Sequence, residues 1–396
     1  MAQFDPAAAT AAYLSVLTPA QHAKATAYTQ GGHWLLLWGT LVTVGVALLV
    51  LRSGVLVRAR NWVEAGGPKP WRVAFLVLLA DGLFEGVIGL PWNIYADWWR
   101  EKSYGLTSQA FTGWLGEWAL SATISVVMTA LLMSALYAIM RRSPRRWWLW
   151  SSAVVGAFFL VTIILSPVFI EPLFNSYKPA PPGPVRDAVV AMAKTVGVPS
   201  DKIYIYNGSK QSNRYTANVS GLFGTARVAM SDVMFKKDAD LAEVRGVVGH
   251  EMGHYVHMHV VWFSFAYMAL AMAGFFLVDR LFPAVLRLSG AKGVKGLSDP
   301  AGIPIIGISL AVLALASTPI RVSVIRMAES DADRFSLEHF NEPDGLSKAL
   351  AKTIEYRAAT PSKLEEVLFY DHPAVGNRVR AAMDWKAAQM KTDAVR

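Results

Sequence analysis

Six apolar runs divide the chain, near residues 33–52, 72–96, 112–140, 147–171, 260–282 and 302–322. Each reaches the roughly 20 residues that a helix needs to cross the hydrocarbon core of a bilayer. Tryptophans crowd their borders, as at Trp98, Trp99, Trp147, Trp148 and Trp150, where amphipathic rings settle at headgroup level. A soluble helical protein buries two or three such runs; six with aromatic borders predict membrane spans. Asp81 and Glu85 lie four residues apart within the second run. A carboxylate is costly in lipid, so both are expected to face water or protein, in a hydrated interior or a helix–helix hydrogen bond.

Between the fourth and fifth runs the character changes. Residues 178–184 read Lys-Pro-Ala-Pro-Pro-Gly-Pro, which excludes a helix or a central strand and marks a boundary. Val185 to Val196 has helical periodicity, Lys202 to Tyr206 alternates like a strand, and Val219 to Ser231 reads as a strand pair around Gly224. Asp238 to His259 reads as one helix capped by Asp238 or Asp240. A second polar section, largely helical, runs from Glu329 to the C-terminus. The expected organisation is a four-span region over 1–174, a small α+β domain over 175–259, two spans over 260–328 and a helical part over 329–396.

Composition agrees with the pattern. Of 396 residues 54% are hydrophobic and 17% charged, with a mean hydropathy of +0.33. The formal charge is +9, but the basic residues form no patch interleaved with aromatics, so nucleic acid is not an expected partner. Many sit at span ends instead, facing lipid headgroups. Arg52, Arg58, Arg60, Lys69 and Arg72 flank one connection. Arg141, Arg142, Arg145 and Arg146 fill another, and Arg280, Arg287, Lys292 and Lys295 a third. The three share a side, opposite the polar domain, and the positive-inside rule makes that side cytoplasmic. There is no cysteine, which removes disulfides and thiolate metal sites. No basic segment precedes the first apolar run, so a cleaved signal peptide is not expected.

The candidate chemistry starts at His250-Glu-Met-Gly-His254. On a helix, positions i and i+4 share a face, so both imidazoles can bind one zinc ion while Glu251 lies beside it as base. The bland reading is an amphipathic helix with two surface histidines. Catalytic zinc needs a third protein ligand and an open position. Glu329 is the candidate, with Asp333 on the same helix face free to hydrogen-bond a ligating imidazole; ordinary helix-start acids are the alternative. His372, before Pro373, and Arg378 are candidate donors to an oxyanion, against a surface histidine before a helix. His257 is read as a nearby fourth nitrogen or, more simply, together with His259 as a residue of the membrane border without a catalytic role.

These passages resemble the CAAX prenyl protease 1 family of membrane zinc metallopeptidases. The likeness rests on HEMGHYVHMH at 250–259, ESDAD at 329–333 and HPAVGNR at 372–378. GLPWNIY at 89–95, IEPLFNSYKPAP at 170–181, IYNGSKQSN at 205–213 and GLFGTARVAMSD at 221–232 add to it. The resemblance implies a multi-pass α-helical membrane protein with a zincin domain whose third ligand is glutamate, its helices ringing a water-filled chamber. It implies one Zn2+ per chain on His250, His254 and Glu329, with Glu251 as base. Asp333 would back a ligand, and His372 and Arg378 would stabilise the intermediate. Substrates would be peptides or proteins, lipid-modified ones among them, in contact with membrane lipids. A bacterial inner membrane is the expected location, although the best-known members of the family turn the catalytic domain to the cytosol. Two departures stand out: six runs where the family has seven spans, and Thr216-Ala217-Asn218 where it carries Asn-Ala-Tyr. An edge strand near Thr216, Ala217, Asn218, Val219 and Gly221 is expected to pair with substrate through its main chain. The rival functions are a transporter whose histidines bind a passing metal and an inactive peptidase-like chaperone or scaffold.

Overall fold

The computed structural model describes residues 4–67, 69–212, 216–235 and 240–395. Its N-terminal half is helical. α1 (Pro6–Leu14) starts on Asp5, whose Oδ1 accepts from the Ala7 N–H at 2.8 Å. α2 (Pro19–Ser53) opens with a reciprocal cap, Thr18 N–H to Gln21 Oε1 and Gln21 N–H to Thr18 Oγ1, satisfying two donors that the first turn leaves free. Gly54, at φ 66°, turns the chain into α3 (Val55–Ala65). α4 (Pro70–Asn93) runs through a π-helical turn, Ile94–Trp99, into α5 (Arg100–Tyr104). α6 (Phe111–Arg142), α7 (Trp147–Phe169) and the short α8 (Glu171–Phe174) complete this half.

The polar domain follows. β1 (Tyr177–Pro179), α9 (Pro184–Val196), β2 (Ile203–Tyr206), β3 (Ala217–Ser220) and β4 (Arg227–Ser231) precede α10 (Leu241–Val256). The sheet order is β1-β2-β4-β3, with β2 and β4 parallel and both outer pairs antiparallel. β1, with its proline, is an edge, as a missing N–H requires. β3 is the other edge, in register Asn218 against Ala229. α10 is capped by Asp240, which accepts from the Ala242 N–H at 2.9 Å; Asp238 lies outside the described residues. Val228, Met230, Val244, Val248, Met252 and Phe335 join sheet, α10 and a later helix in one core.

The helix expected to run to His259 ends at Val256. Met258 adopts the left-handed conformation (φ 55°, ψ 35°) and a new helix, α11 (His259–Ser289), begins. The sixth expected span is also interrupted. α12 (Ile303–Ala316) is followed by α13 (Thr318–Phe340) at a 56° bend, where Pro319 lacks the N–H that would continue the helix. The boundary expected at 328/329 therefore falls inside α13. α14 (Pro343–Lys352), α15 (Lys363–Phe369) and α16 (Val375–Val395) close the chain, and α1 packs against this end through Tyr13 and Leu14.

Among the described residues five helices are long and apolar enough to span a membrane: Pro19–Ser53, Pro70–Tyr104, Phe111–Arg142, Trp147–Phe169 and His259–Ser289; the bent pair Pro300–Ala316 and Thr318–Phe340, taken as one span, makes a sixth. The first and second extend well beyond the apolar runs that announced them. Trp34, Trp38, Leu83, Val87, Trp262 and Phe265 stand exposed on their surface, as lipid-facing side chains do. At the end away from the polar domain the basic connections meet. Arg60 pairs with Asp299, Lys295 with Glu64 at 3.0 Å, and Arg52 Nε donates to the Ser289 carbonyl.

Candidate metal centre

Three glycines decide how closely α10 is approached. Gly246, Gly249 and Gly253 recur at i, i+3 and i+7. A Cβ on Gly253 would stand 3.0 Å from Ala332 Cα, and one on Gly249 2.6 Å from Ser336 Oγ. α13 lies in this groove, and Ser336 Oγ donates to the Gly246 carbonyl at 3.0 Å. The neighbouring face of α10 carries His250 and His254, and the packed face of α13 carries Glu329 and Asp333. Sequence reading missed the glycine stripe, although its spacing was visible.

Three ligand-type side chains converge. His250 Nε2 and His254 Nε2 are 3.1 Å apart; Glu329 Oε2 is 3.2 Å from the first and Oε1 3.4 Å from the second. Tetrahedral ligands at zinc bond lengths stand about 3.3 Å apart, so the triangle fits such an ion. The buried Oε2 of Glu329 has no hydrogen-bond partner among the described residues despite these nitrogens. Two N–H groups would point at each other across the histidine pair, whereas two lone pairs and a carboxylate suit a cation.

Charge tells the same story. Burial works against a charged His250, but Asp333 and Glu329 push it up to about 10. Glu251 shifts upward, chiefly through burial, opposed by His250 and His254. The pocket is built to hold positive charge beside a carboxyl group that retains basicity.

Supporting contacts fix the rings. His250 Nδ1 meets Asp333 Oδ1 at 2.9 Å, and Arg378, in the first turn of α16, grips both Asp333 oxygens at 2.6 Å. The Nε and Nη2 of Arg378 are thus turned to Asp333. His372 Nε2 stands 3.1 Å from Glu329 Oε2, with Nδ1 on Asp371 Oδ1 at 2.7 Å. Arg326 holds this loop, donating to the Glu366 and Tyr370 carbonyls at 2.7 and 2.6 Å; it too escaped sequence reading. His257 lies outside the triangle, against Asp331. His259 is folded back onto His254, Nδ1 to Nδ1 at 2.9 Å.

The edge strand borders the site. A cavity of about 320 Å³ is lined by Val219, Ser220, Gly221, His254, His259 and the span residue Phe263, among others. Thr216, Ala217 and Asn218 continue the same edge, Thr216 through its carbonyl to the Ser231 N–H at 2.9 Å. Asn218 Oδ1 and Ser220 Oγ are buried without hydrogen-bond partners among the described residues.

Comparison with known proteins agrees over nearly the whole length. Residues 6–176 match the CAAX prenyl protease N-terminal domain, described as five membrane helices, and 179–386 match peptidase family M48. An uncharacterized metalloprotease, YhfN of Bacillus subtilis, is 27% identical over 99% of this chain and 91% of its own length. CAAX prenyl protease 1 of Saccharomyces cerevisiae is 27% identical over 54% of this chain, and the Dictyostelium discoideum homolog 29% over 43%. The chain spans only 46% and 40% of those two relatives. The crystal structure of Ste24p from S. mikatae superposes with a TM-score of 0.75 at 20% identity, covering 96% of this chain and 95% of that one.

Proposed function

We propose that this chain, which belongs to peptidase family M48, uses His250, His254 and Glu329 to hold one zinc ion and Glu251 to hydrolyse peptide bonds. It is an integral membrane metallopeptidase acting on peptides or proteins. The observation that carries the zinc reading is the convergence of His250, His254 and the buried Glu329 carboxylate at 3.1, 3.2 and 3.4 Å.

A bound zinc ion supplies Lewis-acid polarisation and makes water acidic enough to lose a proton near neutral pH. Glu251, next to the first imidazole and raised by burial, takes the proton from the attacking water and passes it to the leaving amine. His372, with Nδ1 on Asp371 and its basicity lowered chiefly by burial, would donate from Nε2 to the oxyanion only as that charge develops and draws a proton onto the ring. Arg378, expected as a second oxyanion donor, turns Nε and Nη2 to Asp333, so it also fixes Asp333 and through it His250.

Substrate adds to β3 through main-chain pairing along residues 216–221, a reading supported by the free edge and the adjoining cavity. Lipid-modified substrates are supported by the names of the yeast and Dictyostelium relatives and by a cavity bounded by span residues. A bacterial cell membrane is supported by the near full-length likeness to the B. subtilis protein. A transporter role is disfavoured because both histidines sit on α10, outside the long spans, and a scaffold role because the base and donor set are intact.

The test is zinc analysis of the detergent-purified chain paired with cleavage of a peptide library with and without a farnesyl group. Glu251→Gln should keep one zinc per chain and lose hydrolysis by about 10²–10⁴-fold. Zinc loss in Glu251→Gln as complete as in His254→Ala would remove Glu251 from the role of base.

A further inference from the structure

The break between α10 and α11 has a chemical consequence. On an unbroken helix of 3.6 residues per turn, positions five apart stand about 140° apart around the axis, so His254 and His259 would face different ways. The left-handed Met258 folds the chain so that the His259 ring meets His254, Nδ1 to Nδ1 at 2.9 Å. His259 is buried, and its other nitrogen, Nε2, lies 3.1 Å from Asp331 Oδ2.

We propose that His259, backed by Asp331, is the positioning residue for His254, the counterpart of what Asp333 and Arg378 do for His250. This rests on the metal centre proposed above. If His254 presents the Nε2 lone pair to the ion, its Nδ1 carries the proton and must donate it. Among the described residues the acceptor in place is His259 Nδ1. His259 then carries its own proton on Nε2 and gives it to Asp331. Every nitrogen along the line from ion to carboxylate has one role, and the ring orientation of His254 is fixed.

The two supports are unlike. His250 donates to a carboxylate directly, whereas His254 donates to a neutral ring that passes the carboxylate's influence on at one remove. Asp333 is buried, and Asp331 is 42% exposed at its side chain and shared with His257. The His254 side is therefore the weaker anchor of the two. His257 hangs from the same Asp331 oxygen without touching the ligand rings' hydrogen bonds, so it stands outside the relay.

The experiment measures metal affinity by chelator competition on the purified full chain, together with the absorption spectrum of its cobalt form. His259→Phe keeps a ring and removes the acceptor; it should weaken metal binding by ~10-fold, at the low end of such changes, and alter the cobalt bands. His259→Asn returns a carbonyl acceptor and should recover most of that loss. Asp331→Asn should have a smaller effect, and His257→Ala none. Parent-like affinity in His259→Phe, or Asn no better than Phe, overturns the proposal. So does a second metal per chain that disappears in His257→Ala, because His259 Nε2 would then be a ligand. Retention of metal by His250→Ala would refute the proposed centre itself, whereas loss there with full retention in His259→Phe refutes the relay alone.

Discussion

Asp81 and Glu85 on α4 stand four residues apart, and so do Glu329 and Asp333 on α13. The same two residue types share one helix face in both places, yet their surroundings are opposite. Asp81 is buried among the spans, and its Oδ1 has no hydrogen-bond partner among the described residues. Around Glu329 and Asp333 gather His250, His254, His372 and Arg378, from α10, a loop and α16. What differs is the helix packed alongside. α4 meets α6 at Gly82, where an added Cβ would lie 2.8 Å from both methyls of Val126, a contact that brings no cation. α13 meets α10 along a glycine stripe whose neighbouring face bears two imidazoles. An acid pair at helical spacing states that two carboxylates point one way, and only the partner helix makes them a site.

The widest gap between the two pairs is expected in metal content. Glu329→Ala should reduce bound metal and peptide hydrolysis to background, because two imidazoles alone leave a zinc site without its third protein ligand. Asp81→Asn should retain one metal per chain. Elemental analysis of the two purified variants checks this, and metal loss in Asp81→Asn would mean that the acid pairs are coupled and the contrast is false.

Asp333 should come next. Asp333→Asn leaves His250 with a weaker anchor and Arg378 with a buried, poorly compensated charge, so metal affinity should fall ~10–100-fold and Tm should fall with it. Adding Arg378→Gln should return part of the Tm and none of the affinity. Recovery of both together would show that Asp333 acts only on packing and does not orient the His250 ring.

The sequence made one kind of information plain and hid another. His250 with His254, and Glu329 with Asp333, were legible because helical spacing alone puts each pair on a face. Their meeting was expected from the need for a third ligand and from the family resemblance rather than from spacing, since it depends on α13 seating against Gly249 and Gly253. The fold-back of His259 was not legible, because Met258 is a residue type with no preference for the left-handed conformation it adopts. Pro319 is a visible signal for the bend that splits the sixth span, and the apolar run 302–322 was read across it. β2, β3 and β4 were anticipated near their places and β1 was not, whereas the order β1-β2-β4-β3, with its parallel central pair, rests on contacts distant in sequence.

The glycine contacts give a sharper version of the comparison. Gly253→Ala puts a methyl against the backbone of Ala332, at 3.0 Å from Cα, and backbone cannot rotate away. α13 must shift by a few tenths of an ångström, carrying Glu329 with it, and metal affinity should weaken by about 3–10-fold, less than the loss of a direct support. Gly82→Ala meets only the side chain of Val126, so a cost of about 1–3 kcal/mol from overpacking is expected with metal affinity unchanged. Equal affinities in the two alanine variants would show that the α10–α13 seam tolerates displacement without disturbing the ligand triangle.

The smallest effect, and the one most able to break the comparison, is expected from Asp81→Leu. A buried polar atom without a partner costs about 1–3 kcal/mol, and replacing such a group by an apolar one of similar size is nearly neutral or stabilising. If Asp81, whose Oδ1 has no hydrogen-bond partner among the described residues, serves no polar contact, Asp81→Leu should leave metal content and turnover as they were. Its Tm in detergent should stay level or rise by a few degrees. Glu85→Leu, at a position only partly buried, should do less. A different outcome has a definite meaning. Metal content and Tm at parent values with a fall in turnover would place Asp81 beside water or substrate within the bundle, since an acid that matters to neither the fold nor the ion can act only on what passes it. The α4 pair would then be a second working pair, set on the path to the α13 pair.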